Sequence, residues 1–235
     1  AGAGRRRVGG HRGQVVDLAV EGNLLASASW DGRIGVWNLE TGALVRWIEG
    51  HRSNVNAVAF SNQGYNLYSA STDGTIRHWD LQTGFERIVV RHGFGVNRLI
   101  VDEAAGWLAY GALDGGTRVI ALGSGKVLAD LTLERRPVLA MAVSPDGGQV
   151  AVGDGEGYIM VVDTAGWTIE RDFHAALNGP VWALAYTGDG TGLIAGGIDD
   201  AAYVWPVALD AGLPQMGAQE RAFHTDPATV SNGER

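Results

Sequence analysis

The sequence predicts an all-β protein, a β-propeller of four-stranded antiparallel blades, and three observations carry that prediction. A histidine, an aspartate and a tryptophan recur at matched spacing in two successive stretches: Gly10-His11, Ser29, Asp31-Gly32 and Trp37, then Gly50-His51, Ser71, Asp73-Gly74 and Trp79. Apolar runs of strand length return with the same period of about forty residues along most of the chain, the mark of a stacked unit that cannot bury its faces alone. Glycine is abundant, 36 residues against six prolines, and no long window shows helical amphipathicity.

Each unit contributes four short β-type segments. The first recurs as VVDLAV from Val15, VNAVAF from Val55, VNRLIV from Val96, VLAMAV from Val138 and VWALAY from Val181. Turn residues follow most of them, as in Ser144-Pro145-Asp146-Gly147 and Thr187-Gly188-Asp189-Gly190, because Gly, Asp and Asn accept positive φ or cap the turn with their own side chains. The second segment reads LLASAS from Leu24, LYSAS from Leu67, LAYGAL from Leu108, VAVGD from Val150 and LIAGGI from Leu193. The third reads RIGVWNL from Arg33, TIRHWDL from Thr75, TRVIAL from Thr117, YIMVVDT from Tyr158 and AYVWPV from Ala202. A fourth follows in all but the last unit: LVRWIEG from Leu44, FERIVVR from Phe85, VLADLTL from Val127 and TIERDFH from Thr168. The units run over about 11–50, 51–91, 92–134, 135–174 and 175–207, most of a propeller.

The composition excludes several function classes. A net charge of −8 lacks the continuous basic face that nucleic acid requires. Arg5-Arg6-Arg7 is the basic cluster, read as exposed residues of an outer strand. No apolar run is long enough to span a membrane. The chain has no cysteine, so it contains no disulfide and no haem-attachment motif.

The repeated Gly-His, Ser, Asp and Trp, closing at Trp79-Asp80, resemble the WD-repeat β-propeller family. The resemblance implies a hydrogen-bonded tetrad in each blade: His11, Ser29, Asp31 and Trp37 in the first, and His51, Ser71, Asp73 and Trp79 in the second. Later units depart from it. The third keeps His92 and Asp114 but has Ile120 for Trp. The fourth has Glu134, Glu156 and Val162 at the His, Asp and Trp positions. The fifth recovers Asp199 and Trp205, with His174 farther upstream. Later blades are therefore expected to rely on packing.

The ends carry expectations of their own. Gly2, Ala3, Gly10 and His11 align without a gap on Gly42, Ala43, Gly50 and His51, so residues 5–9 read as the outer strand of a preceding blade. That strand either closes the ring on the fifth unit or marks the chain as part of a seven-bladed propeller, the reading favoured here because seven blades need about 280 residues. Residues 208–235 lose the β pattern and read as a linker. Ser231-Asn232-Gly233-Glu234-Arg235, with the stretch from Arg91 onward, resembles bacterial proteins that join a WD-repeat propeller to a c-type cytochrome. That resemblance implies export to the periplasm and a downstream haem c domain. A cytoplasmic scaffold is the alternative.

Candidate sites follow from the same alignment. The first segments are mostly apolar, with Asp17, Asn56, Asn97 and Arg98 as the polar exceptions, too scattered for a metal cage or a histidine cluster. Asp154-Gly155-Glu156-Gly157 is the most metal-like run but falls on a turn. No catalytic residue is assigned, although a hydrolase or oxidoreductase site in the channel remains the rival reading. The family resemblance implies partner docking on one rim, carried here by Trp30, Thr72, Leu113, Gly155 and Ile198, each just before the blade Asp position, and by Val16, Asn56, Asn97, Leu139 and Trp182, each the second residue of a first segment. Trp30 and Trp182 are the expected anchors, since exposed aromatic residues dominate interface energetics. The expected partner is a protein, a redox protein in the cytochrome reading.

Overall fold

Short runs of Val, Ile, Leu and Ala bounded by Gly, Asp and Asn fold as antiparallel strands joined by tight turns. The computed structural model describes residues 8–61, 64–132, 136–175, 178–199 and 201–207, and among them nineteen strands form five sheets, each an up-and-down meander. The first sheet holds β1 (Val15–Glu21), β2 (Leu24–Ser29), β3 (Ile34–Asn38) and β4 (Leu44–Ile48). The second holds β5 (Val55–Ser61), β6 (Asn66–Ser71), β7 (Thr75–Asp80) and β8 (Glu86–Arg91). β9 (Val96–Asp102), β10 (Trp107–Ala112), β11 (Thr117–Ala121) and β12 (Val127–Asp130) make the third. β13 (Val138–Val143), β14 (Gln149–Asp154), β15 (Tyr158–Asp163) and β16 (Thr168–His174) make the fourth, and β17 (Ala183–Tyr186), β18 (Gly192–Gly196) and β19 (Ala202–Pro206) the fifth. These are propeller blades, and no α-helix occurs among the described residues.

The core lies between blades rather than within them. Ile34, Val36, Val55 and Leu67 are buried between the first two sheets, Ile76, Val96 and Leu108 between the second and third. Val119, Val138 and Met160 fill the next interface, and Ile159, Val181 and Leu193 the last. Middle strands, covered on both faces, are therefore apolar almost throughout, which is why their sequences do not alternate. The first strands pack in chain order, β1 on β5, β5 on β9, β9 on β13 and β13 on β17.

Residues 5–7, Glu134 and 208–235 lie outside the described residues, and with them the outer-strand, linker and haem-domain readings; Val8 and Gly9 are in no strand. His174 ends β16 opposite Tyr158, edge-on to that ring at 4.9 Å.

The end of β19 differs from the ends of the other third strands. Elsewhere the turn from third to fourth strand closes on a backbone donor: Asn38 N–H to the Ala43 carbonyl at 2.9 Å, Asp80 to Phe85 at 2.8 Å and Ala121 to Lys126 at 2.8 Å. Pro206 holds the corresponding register position opposite Gly192, and it has no N–H to give. Its carbonyl and that of Val207 instead accept from Arg171 of β16.

Candidate functional site

The turn from second to third strand, with the loop before the first strand, builds one rim of every blade. In the first blade the Asp31 carboxylate organises it by accepting from the backbone N–H of Arg12 (2.8 Å) and Arg33 (3.0 Å) and from the Arg33 guanidinium (3.0 Å). Burial opposes ionisation of Asp31, but these donors and His11 outweigh it and hold the carboxyl well below the usual carboxylate range. Asp73 repeats the arrangement: burial is overcome by the Thr75 hydroxyl, the Arg52 N–H and His51.

Beneath the rim runs a chain of side-chain hydrogen bonds. His11 Nδ1 lies 3.1 Å from Asp31 Oδ2, its Nε2 lies 2.7 Å from Ser27 Oγ, and the Trp37 indole N–H donates to the same Oγ at 2.9 Å. In the second blade His51 Nδ1 stands 3.0 Å from Asp73, Nε2 2.7 Å from Ser69 Oγ, and Trp79 Nε1 2.8 Å from that hydroxyl. Burial lowers the His51 pKa against the pull of Asp73, so the ring is neutral at pH 7. A neutral ring facing an acceptor-only carboxylate carries its proton on Nδ1. Every donor then points one way: indole to serine, serine to imidazole, imidazole to aspartate.

The serine is not the one the spacing selects. Ser29 and Ser71 instead accept the N–H of Asp31 and Asp73 at 3.2 and 3.0 Å, capping the turn. The physical reason is register. Ser27 pairs with position 35 and Ser69 with position 77, each diagonal to the indole two residues on. Ser29 lies beyond the β2–β3 pairing, four residues along from Trp37, about 13 Å at strand rise and out of an indole's reach.

The later blades lose the chain for visible reasons. Tyr110 and Ala195 occupy the Ser69 position in the third and fifth. His92 still meets Asp114, but through Nε2 at 3.0 Å; its Nδ1 faces the Arg118 guanidinium at 3.3 Å, and the ring stands edge-on to Tyr110. In the fourth blade Asp154, fully buried at the position of Ser71, accepts the N–H of Glu156 and Tyr158 and pairs with Arg136 at 3.0 Å. The Arg136 guanidinium lies 4.3 Å over the Tyr158 ring. Both amides go to Oδ1, and Arg136 is the charge beside Oδ2, in the run that looked metal-like; among the described residues no group of three or more His, Asp and Glu could hold a metal ion. Asp199 accepts from the Tyr203 hydroxyl at 2.7 Å, and Trp205 packs edge-on to Phe173. Sequence reasoning missed the Arg136–Asp154 pair because it looked for charge at the aligned His and Asp positions, and the pair sits two residues from each.

The rim residues divide into two groups. Trp30 (48% exposed), Trp182 (51%) and Ile198 (62%) are open to solvent, as are Leu113 and Thr72; Leu139 and Val16 are half-buried. Asn56 and Asn97 are spent on structure. The Asn56 amide donates to Thr72 Oγ1 (2.9 Å) and to the Val96 carbonyl of the next blade (3.0 Å), and the Asn97 amide to Val138 of the blade after (2.8 Å). Both residues sit in a β-bulge, which turns the side chain toward the neighbouring first strand. Asp17 makes a similar tie, accepting the Val58 N–H at 2.9 Å. Phe94, exposed between Gly93 and Gly95, joins the open group; an apolar side chain between two loop glycines was its signal.

Stacked four-stranded blades with an aspartate-capped turn on one rim define a propeller-type repeat protein. Three stretches of the chain, residues 5–38, 42–80 and 168–206, match the family described as WD domain, G-beta repeat. Autophagy-related protein 16 of Arabidopsis thaliana is 26% identical over 62% of this chain and 30% of its own length. The 66 kDa stress protein of Physarum polycephalum is 29% identical over 86% of this chain and 41% of its own. WD repeat-containing protein SL1-17 of Schistosoma mansoni is 28% identical over 81% and 50%. The chain thus spans half or less of the length of these relatives.

Proposed function

We propose that the chain is a non-catalytic protein-interaction platform that docks partners on the rim formed by the second turns and the loops before the first strands. One observation carries this reading: Trp30, Phe94, Leu113, Trp182 and Ile198, from the first, third and fifth blades, all stand exposed on that rim. Large apolar side chains repeated on one edge are interface anchors, and the polar groups below them are engaged in holding turns and blades. Affinity capture with the W30A/W182A double variant tests it, with partners identified by mass spectrometry. The expected outcome is loss of the partners held by the parent at an unchanged melting temperature; retention of the same partners overturns the reading.

A second reading makes this platform the propeller portion of a periplasmic c-type cytochrome protein, with electron transfer in a haem domain and a redox protein as partner. It rests on the resemblance of residues 91–235 to such fusions. The coding sequence following Arg235 tests it: Cys-x-x-Cys-His within about twenty residues, with haem staining of the expressed parent, sustains it. A downstream sequence without that motif removes it.

A further inference from the structure

The two rims differ in charge. The edge made by the first and third turns of the blades carries Glu21, Glu40, Glu103, Asp146 and Asp189 exposed, with Asp80 half-exposed, and Lys126 as its exposed lysine. On the other edge the first two blades present Arg12 and Arg52 exposed beside Trp30 and Thr72, while Asp31 and Asp73 are turned inward to His11 and His51. Between these blades lies an open cleft of about 410 Å³ lined by Arg12, Asp31, Gly32, Arg33, Glu49, Gly50 and His51. Asp31 is already balanced there by Arg33, leaving Glu49 as the one exposed carboxylate of the cleft against Arg12 and the adjacent Arg52. In a chain of net charge −8, this sector is where a negative group meets cations without crossing the acidic edge.

Resting on the proposed docking role of the rim, we infer that the Trp30, Arg12 and Arg52 sector receives an acidic segment of a partner protein, with an apolar side chain seated on the Trp30 indole and carboxylates on the two guanidinia. Arginine suits the role, because its planar fork takes a carboxylate through two parallel N–H bonds. The acidic edge steers the same segment away from the opposite face, so charge sets orientation and on-rate while the indole supplies contact area.

Three short fluorescein-labelled peptides test this on the full chain by fluorescence anisotropy: a Leu-Phe pair flanked by glutamates, the same pair flanked by glutamines, and the same pair flanked by lysines. The expected result is binding of the glutamate peptide alone, weakened roughly tenfold by raising salt from low to physiological strength, and by a similar factor in R12E/R52E and in W30A. Both Arg side chains are exposed, so charge reversal leaves the melting temperature unchanged. Equal affinity for the three peptides, sensitive to W30A but not to R12E/R52E, overturns the charge inference and leaves rim docking standing. Preference for the lysine peptide, or no binding of any of the three, overturns the inference outright, and the capture experiment then judges rim docking separately.

Discussion

The first two blades and the fourth fix the same turn with different chemistry. In the former a histidine links an aspartate at the rim to a serine and a tryptophan in the sheet, so four residues from two strands and two loops share one run of hydrogen bonds. In the latter the carboxylate has moved two residues back, into full burial, and an arginine meets it directly. The contrast shows that what a blade requires is an acceptor for the turn amides and a counter-group for that acceptor. In the first two blades the ionised carboxylate is shared among backbone N–H groups, an imidazole and, at Asp31, the Arg33 guanidinium. An ion pair meets the requirement at the cost of desolvating two charges, which makes it the more fragile of the two when one partner is removed.

Removing Arg136 is the sharpest way to break that contrast. Arg136→Ala leaves a fully buried carboxylate without its cation and is expected to cost about 3–5 kcal/mol in chemical denaturation. A loss under about 1 kcal/mol would mean that the two backbone amides on Asp154 suffice. Ser69→Ala comes next, since it orphans both the Trp79 N–H and His51 Nε2; a loss of about 1–3 kcal/mol is expected. Ser71→Ala removes one turn cap on Asp73 and should cost only about 0.5–1.5 kcal/mol. If the order of the two serines reversed, the register argument would fail.

Acid sharpens the comparison further. The His51 pKa is lowered on folding, so the folded state binds fewer protons than the unfolded one; the stability this gives is complete above about pH 6.5 and declines as pH falls below it. The carboxyls of Asp31 and Asp73 are also lowered, and their contribution is complete above about pH 4 and lost below it. Melting temperature should therefore fall in two stages on acidification, and His51→Gln should flatten the first stage. A His51→Gln profile parallel to that of the parent between pH 7 and 5 would remove His51 as its cause.

Much of the architecture was legible because strand period, turn chemistry and the forty-residue repeat agree with one another. The five units and their succession of short strands show in the chain as it is written. The rim was legible in part. Trp30, Leu113, Ile198 and Trp182 lie open there, whereas Asn56 and Asn97, aligned to the same rim, are turned by a bulge into ties between blades. Spacing cannot show that, because a bulge adds a residue to one strand without changing the apolar pattern around it. Trp167 is a similar case. It stands where Gly42, Gly84 and Gly125 adopt positive φ and shares that backbone at φ 54°, with its ring edge-on to Trp107 of the preceding blade at 5.2 Å.

The sequence by itself determined the fold class, the blade count over these residues and the residue types that hold the first two turns, because those follow from local periodicity and turn propensity. Tertiary structure decided which serine enters the hydrogen-bonded chain, that Arg136 answers Asp154, and which rim side chains are left for a partner. Each of those depends on cross-strand register or on the neighbouring blade. It also decided burial: Leu18 of β1 is 59% exposed while Val58, at the same position of β5, is 5% exposed. Among the described residues the two strands differ in whether another sheet lies against them, and no local pattern contains that.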